Sequence, residues 1–404
     1  MKFGGLTLAG MAGFAAALLS GGAFAQDTIK VGVIVAQSPP GSVVQGTQVI
    51  DGLEIARDMI NAGGGVLGKS IELVIEDGQG VPERGRAAAE KLIESDGVVA
   101  LTGEHQSSNV LAEIEVAHRN NIPYMNTNGW SDDIRKKGYA QVFNPSNYNS
   151  FISKAIARTL AKLELRSVVA FAENTDYGIG QAELLGSFLK EYGPDIDYRY
   201  ETLDRAAKDF MPAVLPLRAS PPDAVVNIML PPAAYILMNQ LYEQGVAPSA
   251  ETILYDGAGL ADYPDFWDNV GEAAVTMVEF GLFHPSMDLP ELGLKVGEEY
   301  RKRENTEPNR LIFQAADSLF LIANAIEAAG STDADAVIDA LRKTKWTGTR
   351  GEITFNLEEG NTYQQWLGVP YVTYQLTEKN QPIADAPLLE TPGMELDPSK
   401  VMRP

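Results

Sequence analysis

The stretch GGGVLGKS, Gly63 through Ser70, has the spacing G-x-x-x-x-G-K-[ST] of a phosphate-binding loop. In such a loop, backbone amides and the N-terminus of the following helix cradle phosphates, and the lysine reaches the outer ones. That chemistry requires a buried strand before the loop and a helix after it. Here the neighbours stand in the opposite order. Upstream, TQVIDGLEIARDMINA spaces Val49, Leu53, Ala56 and Ile60 three or four residues apart, which predicts a helix. Downstream, IELVIED is short and rich in Ile and Val, which predicts a strand. The glycines therefore read as a helix C-terminus, where positive φ is wanted, and Lys69 reads as a strand start. No nucleotide is expected.

Other reactive constellations are weaker. His105, His118 and His284 lie far apart and show no zinc spacing. No G-x-S-x-G elbow occurs, and DYGIGQAE carries G-x-G without the third glycine of a dinucleotide fingerprint. The chain has no cysteine, which excludes disulfides, thiol catalysis and a lipid-modified cysteine. Acidic pairs are uninformative in a chain with 54 Asp and Glu. The expectation is a protein that is not an enzyme and takes no cofactor or metal.

Polar residues at strand ends offer binding chemistry instead. GEHQSSNV follows the strand VVALT and places Ser107 and Ser108 where a loop enters a helix. Hydroxyls and free amides there suit a carboxylate, aided by the helix dipole; alternatively one serine is only the N-cap. His105 lies beside them. MNTNGW brings Asn126, Thr127 and Asn128, short polar groups able to hold ammonium and carboxylate, and Trp130, either a pocket wall or a packing residue. In ENTDYGIG, Glu173 and Asp176 read as surface charges.

The elements that must position these residues alternate. Strands IKVGVIVA, IELVIED, VVALTG and IPYMNT are separated by helices, and after FNPSNYN the alternation starts afresh with SVVAFAEN, IDYRYETL, AVVNIML and TILYDG. This predicts an α/β fold with parallel sheets covered on both faces. VTMVEFGLF, three further helices, GEITFN and VPYVTYQL follow, and residues 384–404 are Pro-rich and read as an irregular arm. A chain of 404 residues, 45% hydrophobic, is long enough for two domains with substantial cores. Residues 1–25 read as a secretory signal peptide cut between Ala25 and Gln26, so an exported, periplasmic protein without a lipid tether is expected. No later stretch reads as a membrane span. A net charge of -22 repels nucleic acid and anionic membranes.

IKVGVIVAQSPPGSVVQGTQVIDGLEIARDMINAGGGVLGKSIELVIEDGQG resembles the opening of the periplasmic binding proteins for branched-chain amino acids. The similarity continues through AAAEKLIESDGVVALTGEHQSSNVLAEIEVAHRNNIPYM, NTDYGIGQAE and GSTDADAVIDALRKTKWTGTRGEITFN, and ends near Leu376. It implies two Rossmann-like lobes joined by a three-crossover hinge, the type I arrangement. Lobe one would take residues 27–143 and 281–362, lobe two 144–280 and 363–385, and the C-terminal arm 386–404. It further implies that the Ser107–Ser108 loop holds an amino-acid carboxylate, that Tyr177 and Tyr235 face the ligand, that Asp256 pairs with its ammonium, and that Gln45 covers its side-chain end. Asn126, Thr127 and Asn128 depart from the small residues usual in that family. The implied function is capture of an amino acid or similar small polar solute, as a monomer, for the permease subunits of an ABC importer. The alternatives are aromatic or other organic acids, amides or urea-like solutes, or a ligand-sensing role for a signalling receptor.

Overall fold

The computed structural model describes residues 28–404. The expected signal peptide and residue 27 of lobe one lie outside the described residues. In chain order the first unit comprises β1 (Thr28–Val35), α1 (Val43–Ala62), β2 (Ser70–Asp77), α2 (Pro82–Glu94), β3 (Ala100–Thr102), α3 (Ser107–Arg119), β4 (Tyr124–Met125), α4 (Asp133–Lys136) and β5 (Val142–Phe143). The second comprises α5 (Asn149–Lys162), β6 (Ser167–Glu173), α6 (Asp176–Tyr192), β7 (Asp197–Leu203), α7 (Met211–Ala219), β8 (Ala224–Ile228), α8 (Ala233–Glu243), β9 (Ile253–Asp256), α9 (Phe266–Val270) and β10 (Val278–Gly281). The chain continues through α10 (Glu291–Glu304), α11 (Arg310–Ala329), α12 (Ala334–Arg342), the small antiparallel pair β11 (Lys345–Thr347) and β12 (Glu352–Thr354), then β13 (Val372–Gln375) and β14 (Leu388–Glu390).

One sheet has the order β2-β1-β3-β4-β5 and is wholly parallel. The other runs β14-β13-β10-β9-β8-β6-β7, parallel except for the antiparallel β13 and β14 at one edge. Strand alternation divides each sheet between two cores. In β6, Val169 and Phe171 join Val214, Leu217, Leu237 and Leu241 of α7 and α8. The intervening Val168, Ala170 and Ala172 join Ile152, Ile156, Leu160, Leu185 and Leu189 of α5 and α6. In β1, Val31, Val33 and Val35 face α1 and α11, whereas Ile34 packs with residues of α2 and α3. By length and composition α11 could cross a membrane, contrary to the sequence reading, but it is a mostly buried core helix laid against α1.

The glycine-rich stretch connects α1 to β2, as its flanks predict. Gly63 N donates to Met59 O and Ile60 O, both at 3.1 Å, and closes the helix. Gly64 and Gly65 follow with φ of 106° and 77°. A Cβ on Gly65 would lie 2.0 Å from Lys69 O, so the turn admits no side chain there. The loop sits at the negative end of the α1 dipole, the wrong end for a phosphate.

The chain passes between the sheets through residues 144–148, 282–290 and 364–371. The first and third passages pair as a short parallel bridge: Asn144 N donates to Gln364 O and Trp366 N to Asn144 O, each at 2.9 Å. Side chains stitch them further, with Gln365 Nε2 on Ser146 O at 2.5 Å and Gln364 Nε2 on Val142 O at 2.7 Å. The C-terminal segment is more ordered than its composition suggests. It supplies β14, and Gln375 clasps Met402 through Nε2→O and N→Oε1 bonds of 2.9 Å each.

Candidate functional site

A cavity of about 220 Å³ opens where the carboxyl ends of the two parallel sheets face each other. That is where ligands bind in open α/β sheets. From the first sheet's side come Gln45, Gly80 and Pro82, the segment His105–Asn109, Asn128 and Trp130. From the second come Glu173, Thr175, Tyr177, Arg205, Leu230 and Tyr263, and Arg310 opens α11 between them.

The α3 N-terminus is built by a buried carboxylate. Glu104 Oε1 accepts from His105 N and Gln106 N at 2.7 and 2.8 Å, and its Oε2 accepts from Asn109 Nδ2 at 3.0 Å. The next amides, of Ser107 and Ser108, have no partner among the described residues and remain available as anion donors. Ser107 Oγ accepts from Trp130 N and Ser131 N, both at 3.0 Å, and so fixes the Trp130 loop against the helix. Asn128 Oδ1 takes the Trp130 indole N–H at 2.7 Å, which sets the ring's orientation. Trp130 then meets Tyr177 edge-on, with centroids 5.6 Å apart.

Across the cavity, Glu173 ends β6. It is 2% exposed, not the surface charge its sequence context suggests. Its oxygens accept from Thr175 Oγ1 at 2.7 Å and Leu230 N at 3.0 Å, and among the described residues it has no ion pair. Tyr177 belongs to the first turn of α6, because Thr175 caps that helix through Gly178 N. The Tyr177 hydroxyl is buried without a partner among the described residues, and burial followed by Glu173 and Asp256 pushes it well above the usual phenol range. Arg205, in the loop after β7, reaches the opposite wall. With the Gln106 amide oriented to satisfy both its groups, Arg205 Nη2 donates to Gln106 Oε1 at 3.0 Å.

Arg310 bridges the two sides in the most buried geometry of the site. Its Nη1 meets Asp262 Oδ2 at 2.5 Å and Gly259 O at 2.8 Å, while Nη2 meets Tyr263 Oη at 2.9 Å and Ala258 O at 3.3 Å. The guanidinium lies 5.2 Å from the Tyr263 ring centroid and 5.6 Å from that of Trp130. Burial alone would lower its pKa, but Tyr263 and Asp262 outweigh that and hold it charged. Gly259, at φ 76°, makes room: a Cβ there would come within 2.9 Å of Arg310 Nη1. His105 is neutral, its pKa pushed down to about 3 by burial and then by Arg205 and Arg310.

Of the residues singled out from the sequence, the cavity gathers Gln45, Ser107, Ser108, Asn128, Trp130 and Tyr177. Four are placed elsewhere. Asn126 is spent on Gly129 and Asn144, and Thr127 on Thr102, Gly103 and Ser318, so both lock the loop from behind. Tyr235 packs on Phe266 and donates to Asp265 Oδ1 at 3.0 Å. Asp256 does not line the cavity. Asn227 Nδ2, Leu260 N and Ala258 N occupy its carboxylate at 2.6, 2.9 and 3.3 Å, holding the turn after β9. Ser108 lines the cavity, but its hydroxyl donates to Asp176 Oδ2 at 2.6 Å, a bond between the two sides. Arg205, Tyr263 and Arg310 escaped the sequence reading. Arg310 alone left a signal, a charge at the head of a long apolar helix. The other histidines stand apart: His118 stacks on Tyr139, and His284 bonds Ser286.

Two parallel sheets that enclose a lined cavity between their carboxyl ends, joined by three passages of chain, define a two-lobed solute-binding protein. The family model for periplasmic binding proteins matches residues 28–373, and the chain belongs to that family. Among similar proteins is the Leu/Ile/Val-binding protein homolog 7 of Brucella suis, 28% identical over 314 residues, which span 72% of this chain and 75% of the relative. The leucine binding protein LivK of Thermotoga maritima superposes with a TM-score of 0.79 at 23% identity, covering 90% of this chain and 98% of that one. A solute-binding protein of an ABC transporter from R. palustris, in complex with benzoate, superposes at 0.76 with 18% identity, over 90% and 96% of the two chains.

Proposed function

We propose that the protein is the periplasmic receptor of an ABC importer, that it captures an α-amino acid between lobes 27–143 plus 281–362 and 144–280 plus 363–385, and that it hands the closed complex to the permease subunits. The observation that carries this reading is Glu173: a buried carboxylate on the cavity wall with no cationic partner among the described residues. A buried charge needs a counter-charge, and an α-ammonium is the group an amino acid brings. Facing it, the free amides of Ser107 and Ser108 and the Arg205 guanidinium suit the α-carboxylate. Glu173 thus takes the role that the family resemblance would give to Asp256. The names of the relative and of the LivK structure agree with an amino-acid ligand, and the benzoate complex marks the aromatic-acid alternative.

Calorimetric titration of wild type and Glu173→Gln with a panel of amino acids and their deaminated acids tests it. Removing one partner of a desolvated charge pair costs roughly 2–5 kcal/mol, so the best amino acid should bind Glu173→Gln about thirty-fold to several thousand-fold more weakly. A deaminated acid that binds wild type more tightly than its parent amino acid, and gains affinity in Glu173→Gln, would establish the organic-acid reading instead.

A further inference from the structure

At one end of the cavity, two lining side chains converge on the Tyr263 hydroxyl. Gln45 Nε2 donates to it from α1, and Arg310 Nη2 donates to it from α11 at 2.9 Å. Each is left with one buried polar atom that has no partner among the described residues: Arg310 Nε, a donor, and Gln45 Oε1, an acceptor. Both side chains are almost fully buried, at 0% and 2% exposure. A buried donor or acceptor left unmade is costly, and the end of a cavity lined by two side chains that leave one of each suits a group offering the reverse pair. The charge of Arg310 is already met by Asp262, so this end does not call for an anion.

We infer that the ligand's distal end is a neutral carboxamide or a group of the same pattern, whose C=O accepts from Arg310 Nε and whose N–H donates to Gln45 Oε1. This rests on the amino-acid reading above and narrows it, from amino acids in general to those with an amide-bearing side chain. The apolar walls of Trp130, Tyr177 and Leu230 then flank the aliphatic stem.

The test compares L-glutamine, L-methionine and L-glutamate on wild type, Gln45→Met and Arg310→Lys by calorimetry, with thermal unfolding to verify that each variant is folded. Methionine matches the length of glutamine without its donor and acceptor. Glutamine should bind wild type about tenfold or more tightly than methionine, a ratio expected when two hydrogen bonds are at stake. Gln45→Met should lower that ratio by about fivefold or more. Arg310→Lys keeps a cation for Asp262 but removes Nε, and should lower the ratio in the same direction. Methionine binding wild type as tightly as glutamine overturns the inference and leaves the amino-acid reading intact. Glutamate as the tightest of the three overturns the neutral distal group. Binding of none of the three overturns the inference, and a failure of the whole amino-acid panel overturns the underlying reading as well. The wild-type ranking decides even if a variant does not fold.

Discussion

Asp262→Asn should loosen the closed state more than the fold. The ion pair between Arg310 Nη1 and Asp262 Oδ2 is 2.5 Å long and both side chains are at most 1% exposed. One partner comes from α11, packed on the first sheet's helices, the other from the turn after β9 of the second sheet. Removing the carboxylate leaves a buried guanidinium whose remaining partners are Gly259 O, Ala258 O and the Tyr263 hydroxyl, all neutral. Breaking a buried pair on one side costs about 3–5 kcal/mol; three surviving bonds place this case near the lower limit, about 3 kcal/mol. If the ligand-free protein is open, Arg310 is solvated there and the whole cost falls on closure, which weakens ligand binding by about 150-fold. The midpoint of unfolding without ligand should then hardly move, while small-angle scattering at a fixed ligand concentration should show fewer compact molecules. Unchanged affinity together with a lowered ligand-free midpoint would refute this reasoning, because the pair would then serve the fold and not closure.

Other outcomes follow from single features. Burial, then Glu304 and Glu54, raise Asp51 to about 6, so its ionisation opposes folding; the midpoint gained by Asp51→Asn should be nil below pH 4, grow between pH 4 and 6, and level off above, in a scanning-fluorimetry pH series. His105 has the opposite sign, since its folded pKa of about 3 lies below the ordinary 6.5: its stabilising contribution is complete above pH 6.5 and is lost as pH falls toward 3. His105→Gln should therefore show a flatter midpoint between pH 6.5 and 4. ATP should give no heat of binding, and Lys69→Ala should leave ligand affinity unchanged, whereas Gly65→Ala, forced to φ 77° against Lys69 O, should lower stability by about 1–3 kcal/mol in urea titrations. Ser108→Ala removes the bond to Asp176, so its cost in affinity should be about 0.5–1.5 kcal/mol, and Asp176→Asn should add little to it in a double-mutant cycle.

Periodicity and turn chemistry carried most of the architecture. The apolar spacing of α1 and the Ile/Val content of β2 were enough to set aside the phosphate-loop reading, because that motif depends on the order of its neighbours. The Ser107–Ser108 loop was legible for the same reason, as it joins a strand end to a helix start. What escaped was whatever depends on two distant segments meeting. Glu173 has the polar neighbours of a surface residue, and only α6 and the loop after β8 folding over it bury it. Asp256 sits at the expected strand end, yet its local turn consumes it, and backbone amides two and four residues onward leave no mark in composition. Asn126 and Thr127 differ from Asn128 only in which way the loop turns after β4. The C-terminal strand β14 is three residues long, too short for alternation to declare itself.

The paired first and third passages between the sheets have a mechanical consequence. Two strands bonded edge to edge behave as a plank. Bending across its broad face needs only small backbone rotations, whereas bending within its plane must stretch the bonds between Asn144 and residues 364 and 366. The side-chain stitches from Gln364 and Gln365 stiffen that plane further. Of the possible relative motions of the two halves, this leaves one soft direction. A closing movement of the two halves along that direction would bring Arg310 to Asp262 and Ser108 to Asp176 in one register.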